Sequence, residues 1–170
     1  MGELNNSPLV LDFFPKFLMF LAVFQLTVFF IHSSEMLSQA IQLAITYSVA
    51  FVYQMFAEPI IIDGNILRHA DSSHFLIVDN ECTGLMLFAS VSAVVMTFSY
   101  SLTTKVKMLV IAALILQGEN TLRITHLMYE VRKETNDFEF YHLYIWQMIN
   151  FITALLVIAG LERFFRSREL

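Results

Sequence analysis

Four long apolar stretches limit what this chain can fold into. A helix that crosses the hydrocarbon of a bilayer needs about 20 mainly apolar residues. Stretches of this kind cover residues 13–31, 83–102, 106–129 and 143–161. Hydrophobic residues make up 57% of the chain and charged residues 15%, whereas a soluble domain is about 45–50% apolar. The sequence therefore predicts one all-α polytopic membrane domain over residues 1–170, with about four transmembrane helices in contact with lipid.

Residues 36–56 form a fifth apolar segment of a different kind. Gln39, Gln42 and Thr46 follow one another at i, i+3 and i+7, so one face of a helix would be polar. The opposite face would carry Ile41, Ala44, Ile45, Val49 and Val52. A helix with two such faces is typical of the membrane interface. We expect an interfacial amphipathic helix here, and a fifth transmembrane helix is the alternative.

The basic residues near the apolar stretches predict the orientation in the membrane. Two groups lie one helical hairpin apart, namely Lys105 and Lys107, then Arg163, Arg166 and Arg168. Two transmembrane helices between these groups place both on the same side, and the positive-inside rule makes that side the cytoplasm. The segments 57–81 and 130–142 then lie outside. We therefore expect a multi-pass protein of the cytoplasmic (inner) membrane.

The outer segment that ends at Cys82 carries signals for short strands. Ile60, Ile61 and Ile62 precede an Asp63-Gly64 turn signal, and residues 75–78 precede Asp79-Asn80. β-branched runs beside such turns are typical of strands. A small extracytoplasmic β element is predicted to lead the chain back to the membrane.

Charge and cysteine content exclude several functions. The net charge is -5, and no basic stripe is present to neutralise phosphates, so we expect no nucleic-acid partner. Cys82 is the single cysteine, so no disulfide can form within the chain. No pair of histidines falls at i, i+4 on one helix, and we expect no cofactor and no metal.

Cys82 lies where the outer segment meets the second apolar stretch, in the sequence Asn80-Glu81-Cys82-Thr83-Gly84. The free N–H groups and the dipole of a helix N-terminus favour a thiolate. Asp79 and Glu81 oppose a thiolate by like-charge repulsion, so a nearby cation would be needed.

Arg123 is a candidate for that cation. It follows Gln117, Glu119 and Asn120 in a stretch that should lie in hydrocarbon, about 9 Å below its outer end at 1.5 Å per residue. Charged groups at membrane depth are costly and are usually functional or paired. The alternative is that Glu119 and Arg123, at i and i+4, only pair with each other. Asn120 shares their face of the helix.

His142 opens the last apolar stretch among tyrosines and a tryptophan typical of an interfacial belt. A histidine at that level is often only a structural hydrogen-bonding group. His126 is the competitor, one turn beyond Arg123. Because a proton on His126 would be disfavoured by the nearby guanidinium, we favour His142 as the group that holds a proton near neutral pH.

Cys82, Arg123 and His142 are predicted at one depth on the extracytoplasmic face. A thiolate, a proton carrier and a fixed cation are what acyl transfer at a peptide bond requires. The thiolate would attack, the histidine would protonate the leaving amine, and the guanidinium would stabilise the oxyanion.

These residues resemble a known family. Glu81-Cys82-Thr83-Gly84, then Asn120-x-x-Arg123-Ile124, then His142 are similar to the exosortase–archaeosortase family, and most like its small exosortase H-type members. The resemblance runs from about residue 60 to the C-terminus. The chain departs from the longer exosortases in lacking their extra N-terminal transmembrane helices.

The resemblance implies a membrane-embedded cysteine transpeptidase. Cys82, Arg123 and His142 match the family's catalytic residues, and Glu81, Thr83, Gly84 and Asn120 would support them. The implied partners are proteins with a C-terminal sorting signal, which consists of a short motif, one transmembrane helix and a basic tail. The acyl group would pass to an acceptor.

Two alternatives remain open from the sequence. In a membrane thiol protease, water would take the acyl group and no transfer would occur. In a non-enzymatic membrane subunit, His32, His126 and His142 would hold haem or a metal.

Overall fold

The computed structural model of the chain describes residues 8–57, 59–70, 74–133 and 137–167. The helices are α1 (Pro8–Ser33), α2 (Glu35–Gln54), α3 (Leu85–Thr97), α4 (Leu102–Arg132), the single turn α5 (Phe138–Phe140) and α6 (Trp146–Arg166). A 3₁₀ turn (Asn80–Thr83) precedes α3, and a π-helical turn (Tyr141–Ile145) precedes α6. The strands are β1 (Ile60–Asp63), β2 (Ile66–His69) and β3 (Phe75–Ile77).

Four helices, α1, α3, α4 and α6, form the bundle. Antiparallel packing of α1 on α3 places Gln25 beside Ser90 and His32 beside Thr83. An apolar cluster joins α3, α4 and α6 towards one end of the bundle; it consists of Val91, Val95, Met108, Ala112, Leu116, Val157, Leu161 and Phe165. Lys105 Nζ donates to the carbonyl of Met96 at 2.8 Å at this end, which we call the basic end.

Both groups of basic residues lie at the basic end, in agreement with the prediction that they share one side. The hydroxyl of Tyr100 donates to the carbonyl of Glu162 at 3.4 Å, which brings the end of α6 against the turn before α4. Arg163 and Arg166 therefore lie near Lys105. Arg168 lies outside the described residues.

The surface of the bundle is apolar enough to face lipid. Among the described residues, four helical stretches are long and apolar enough to cross a membrane; they are Phe13–Ser33, Glu35–Gln54, Leu102–Val131 and Phe138–Arg166. Large side chains such as Phe29, Phe30, Phe151 and Leu156 are exposed along them. A soluble monomer rarely exposes so much contiguous apolar surface. The predicted all-α polytopic membrane fold is confirmed.

The predicted helix over residues 83–102 is wrong in its bounds. α3 has 13 residues, about 20 Å of helix, because Gly84 takes a left-handed φ of 71° before it and Phe98 is extended after it. The chain from Gly84 to Ser101 nevertheless runs beside the part of α4 between Asn120 and Leu102. That part of α4 is about 27 Å long at 1.5 Å per residue. The short helix and its extended end together cover most of a hydrocarbon layer.

α2 has the length of a transmembrane helix but does not return towards the basic end. Near its start, Ser38 donates to the side chain of Asn80. Near its end, the ring of Tyr53 contacts His69, which is bonded to the carbonyl of Met128 in α4. The helix thus crosses α4 obliquely, with one face packed against Ile124 and Met128 and with Phe51 and Val52 beside Gly118 and Leu122. This direction favours the predicted interfacial position over a fifth transmembrane helix.

The predicted β element is present as a three-stranded antiparallel sheet in the order β1-β2-β3. A two-residue loop joins β1 to β2, and Gly64 there has a φ of 60°, which glycine adopts without steric cost. Leu67, Leu76 and Val78 are buried against α2 and the end of α4. The sheet, which marks what we call the sheet end of the bundle, delivers the chain to Asp79. β2 was not predicted from the sequence.

Candidate active site

The turn that holds Cys82 is capped by Asp79. Oδ1 of Asp79 accepts hydrogen bonds from the backbone N–H groups of Glu81 at 2.9 Å and Cys82 at 3.1 Å. These bonds stabilise a 3₁₀ turn, and Gly84 separates that turn from α3. Cys82 therefore lies just before α3 and not in its first turn, so the helix dipole stabilises a thiolate there less than the predicted position at the helix N-terminus would.

The thiol of Cys82 is half-buried and packs against the apolar cluster formed by α2, the sheet and α4. Burial raises the pKa of Cys82 above its usual value. The backbone of Asp79 opposes this rise in pKa by a hydrogen bond to the sulfur, the carboxylate of Asp79 adds to it, and the charge of Arg123 lowers the pKa. The charge of Arg123 thus acts on Cys82, and the role of Arg123 as the cation that favours a thiolate stays a prediction.

Asn120 and Gly84 fix the turn to α4. Nδ2 of Asn120 donates to the carbonyl of Cys82 at 2.8 Å. A Cβ at Gly84 would lie 3.3 Å from Cγ of Asn120, and the φ of 71° is one that other residues rarely adopt. Both residues thus hold the turn that carries Cys82, and their supporting role in catalysis stays a prediction.

Thr83 connects the same turn to α1. Its hydroxyl donates to the carbonyl of Asn80 at 2.8 Å, and Nε2 of His32 lies 3.4 Å from its oxygen. Because the single hydroxyl proton is used by Asn80, the ring of His32 is assigned as the donor. No spacing in the sequence ties His32 to Cys82, since the contact joins residues far apart in the chain.

Arg123 is buried, with 6% of its surface exposed. With the Asn150 amide oriented to face complementary partners, its oxygen accepts from Nη1 of Arg123 at 3.1 Å, and its nitrogen donates to Oε1 of Glu119 at 2.7 Å. Asn150 thus bridges Glu119 and Arg123. Among the described residues, Nε of Arg123 has no hydrogen-bond partner.

A polar cavity of about 400 Å³ lies between α1, α3, α4 and α6. It is lined by five of the predicted site residues, which are Glu81, Thr83, Gly84, Asn120 and Arg123. Gln25 and Ser90 line its deeper part, and Oε1 of Gln25 has no partner among the described residues. The cavity offers donors and acceptors to a polar chain at a depth where lipid offers none.

His142 lies apart from this cavity. It belongs to the π-helical turn before α6, and its ring lies 5.7 Å from the ring of Phe138. The structure does not bring His142 to Cys82. π-helical turns often occur at functional sites, and no pattern in the sequence predicted this one.

His126 has both ring nitrogens engaged. Nε1 of Trp146 donates to its Nδ1 at 3.3 Å. Because an indole can only donate, Nδ1 must be unprotonated, and Nε2 carries the proton that faces Glu130 at 3.5 Å.

Within the described residues, no three side chains among His, Cys, Asp and Glu come together in a way that could hold a metal ion.

The fold and the site define a polytopic helical membrane protein in which a buried arginine and the two neighbours of a lone cysteine line one cavity. The model of the transmembrane exosortase family, of the EpsH type, matches residues 9–160 of the 170-residue chain. The chain belongs to this family, which acts on proteins with sorting signals. No curated protein and no solved structure matches it. The narrower likeness to the small H-type members stays a prediction.

Proposed function

We propose that this exosortase-family chain is a membrane-embedded cysteine transpeptidase that cleaves the C-terminal sorting signal of exported proteins. The Cys82 thiolate attacks the carbonyl carbon of the scissile peptide, and the C–N bond breaks as the leaving amine takes a proton from His142. The acyl group on sulfur then passes to an acceptor nucleophile. Residues 1–170 act as one domain in this proposal.

The observation that carries the proposal is the buried arginine beside the turn that holds the only cysteine, since Arg123 lines the cavity together with Glu81 and Thr83, the two neighbours of Cys82. The charge of Arg123 acts on Cys82, and its Nε has no partner among the described residues. A donor that is buried and unpaired costs free energy unless a ligand uses it. The developing oxyanion of a substrate carbonyl is such a ligand.

His142 is proposed as the acid because, among the described residues, its ring is less engaged than that of His126. Among the described residues, its ring contacts Phe138 and forms no hydrogen bond. His126, in contrast, uses both nitrogens. A substrate bound between α6 and the Cys82 turn would lie between nucleophile and acid.

The orientation of the substrate follows from charge. We propose that the basic end lies in the cytoplasm of the inner membrane, so Cys82 lies on the extracytoplasmic side. A signal made of a motif, a transmembrane helix and a basic tail obeys the same rule. Its tail would stay in the cytoplasm and its motif would reach the level of Cys82.

The test is substrate processing in a strain that carries Cys82→Ala. We expect processing to be lost while the variant still inserts, because no other thiol is present. Immunoblots of a protein with a matching C-terminal signal measure this, and shortening at the wild-type rate would refute the assignment. Mass spectrometry of the shortened product separates transfer from hydrolysis, since a free carboxyl terminus indicates that water took the acyl group.

A further inference from the structure

The contacts of Asn150 single it out among the residues that line the cavity. Its amide lies on α6 and meets two charged side chains of α4, Glu119 and Arg123. The same amide nitrogen also faces the carbonyl of Trp146 at 3.3 Å, one turn earlier on α6. A hydrogen bond within its own helix therefore helps to fix the orientation in which the amide meets Arg123.

An amide can serve both neighbours at once, because it has both a donor and an acceptor. The carboxylate of Glu119 needs a donor, and the guanidinium of Arg123 needs an acceptor. Without the amide, Arg123 would form an ion pair directly with Glu119, which lies one turn nearer to the basic end on the same helix. The guanidinium would then turn away from the level of Cys82.

We propose that Asn150 is a positioning residue, whose amide bridges Glu119 and Arg123 and so holds the guanidinium towards Cys82. This inference rests on the proposed function, because it assigns the group that orients the oxyanion donor. Asn150 itself does not touch the thiol.

The reactivity of Cys82 reports where the guanidinium lies, without any substrate. Burial and the Asp79 carboxylate raise the pKa of Cys82, and the Arg123 charge lowers it. The other ionisable groups around the turn are Glu81, Glu119 beside Arg123, and His32 on Thr83. Since the thiolate is the reactive form, the pH profile of alkylation follows this pKa.

The experiment is alkylation of the full-length protein in membranes with N-ethylmaleimide across a pH series. Cys82 is the only site, so the modified fraction needs no mapping. We expect Asn150→Leu and Asn150→Ala to move the profile to higher pH, in the same direction as Arg123→Ala. Asn150→Leu combined with Arg123→Ala should move it no further than Arg123→Ala alone, because Asn150 acts through the arginine.

Gln147→Leu is the matched control. Gln147 is an amide that lines the same cavity one turn earlier on α6, so its removal should leave the alkylation profile unchanged. Asn150→Leu should also slow substrate processing by about 10- to 100-fold, as expected when a catalytic group is displaced.

Two outcomes overturn the inference. If Arg123→Ala moves the profile and neither Asn150 variant does, Asn150 does not position the guanidinium, and the proposed function stands. If Arg123→Ala itself leaves the profile unchanged, the pairing of Arg123 with Cys82 is wrong, and the proposed function loses its main support together with the inference.

Discussion

Arg123 uses its nitrogens for different neighbours, and this decides how it tolerates substitution. Nη1 is bound by Asn150, whereas Nε has no partner among the described residues. A planar guanidinium can serve a fixed bridge and a substrate at the same time, but the single ammonium of lysine cannot do so with the same geometry.

Replacing Arg123 with lysine should therefore be nearly as damaging as replacing it with alanine. Loss of one oxyanion donor lowers turnover by about 100- to 1000-fold in other enzymes, and we expect a loss of that order for both variants. Rates of signal removal in pulse-chase immunoblots measure it. Near-normal processing by Arg123→Lys would show that only the charge is required.

The two histidines near α6 should differ in their effect. We expect His142→Ala to abolish processing and His126→Ala to leave most of it, because the nitrogens of His126 are occupied by Trp146 and Glu130. The same immunoblot assay compares them, with protein level as the control. A reversed pair of phenotypes would mean that His126 is the acid.

At the scale of elements, the turn before α3 depends on long-range contacts more than on helix propensity. α1 holds it through His32, α2 through Ser38 and α4 through Asn120. Gly84 allows the close approach to α4, and its left-handed conformation ends the 3₁₀ turn that carries Cys82.

Gly84→Ala should destabilise the protein by about 1–2 kcal/mol, since a left-handed φ is unfavourable for alanine and its Cβ would crowd Asn120. Thermal unfolding of the detergent-solubilised protein measures this. Gly160→Ala is the matched control, because nothing lies within 4 Å of a Cβ there and Gly160 is helical. An unchanged midpoint for Gly84→Ala would contradict the role of the close approach.

At the scale of the whole molecule, the basic residues of the basic end and the three-stranded sheet lie at opposite ends of the bundle. Lys105 and Arg166 share the basic end, while the Cys82 turn and the three strands share the other. Once the basic end is placed in the cytoplasm, the side of the membrane on which each other element lies follows.

Single cysteines introduced into Cys82→Ala should confirm this arrangement. Asp63 in the sheet and Ser167 after α6 are both exposed. We expect a membrane-impermeant maleimide added to intact cells to label Asp63→Cys and to spare Ser167→Cys until the membrane is opened. Labelling of Ser167→Cys in intact cells would reverse the topology and place the site in the cytoplasm.

The sequence by itself determined the features that depend on local composition. Runs of about 20 apolar residues specify transmembrane helices because each satisfies its own backbone in lipid. Basic residues near their ends specify the shared side, and the isoleucine run before Asp63-Gly64 specifies a strand. Arg123 stood out among the polar residues of α4 because a charge at membrane depth costs free energy.

Only the tertiary structure decided how these parts meet. The length of α3 depends on Gly84 and its approach to Asn120, and the direction of α2 depends on its contacts with Asn80 and His69. His32 reaches Thr83, and Asn150 reaches Arg123, through the packing of helices that are distant in the chain. Periodicity and propensity act over a few residues, whereas side-chain bridges of this kind exist only once the helices have a fixed rotation and depth.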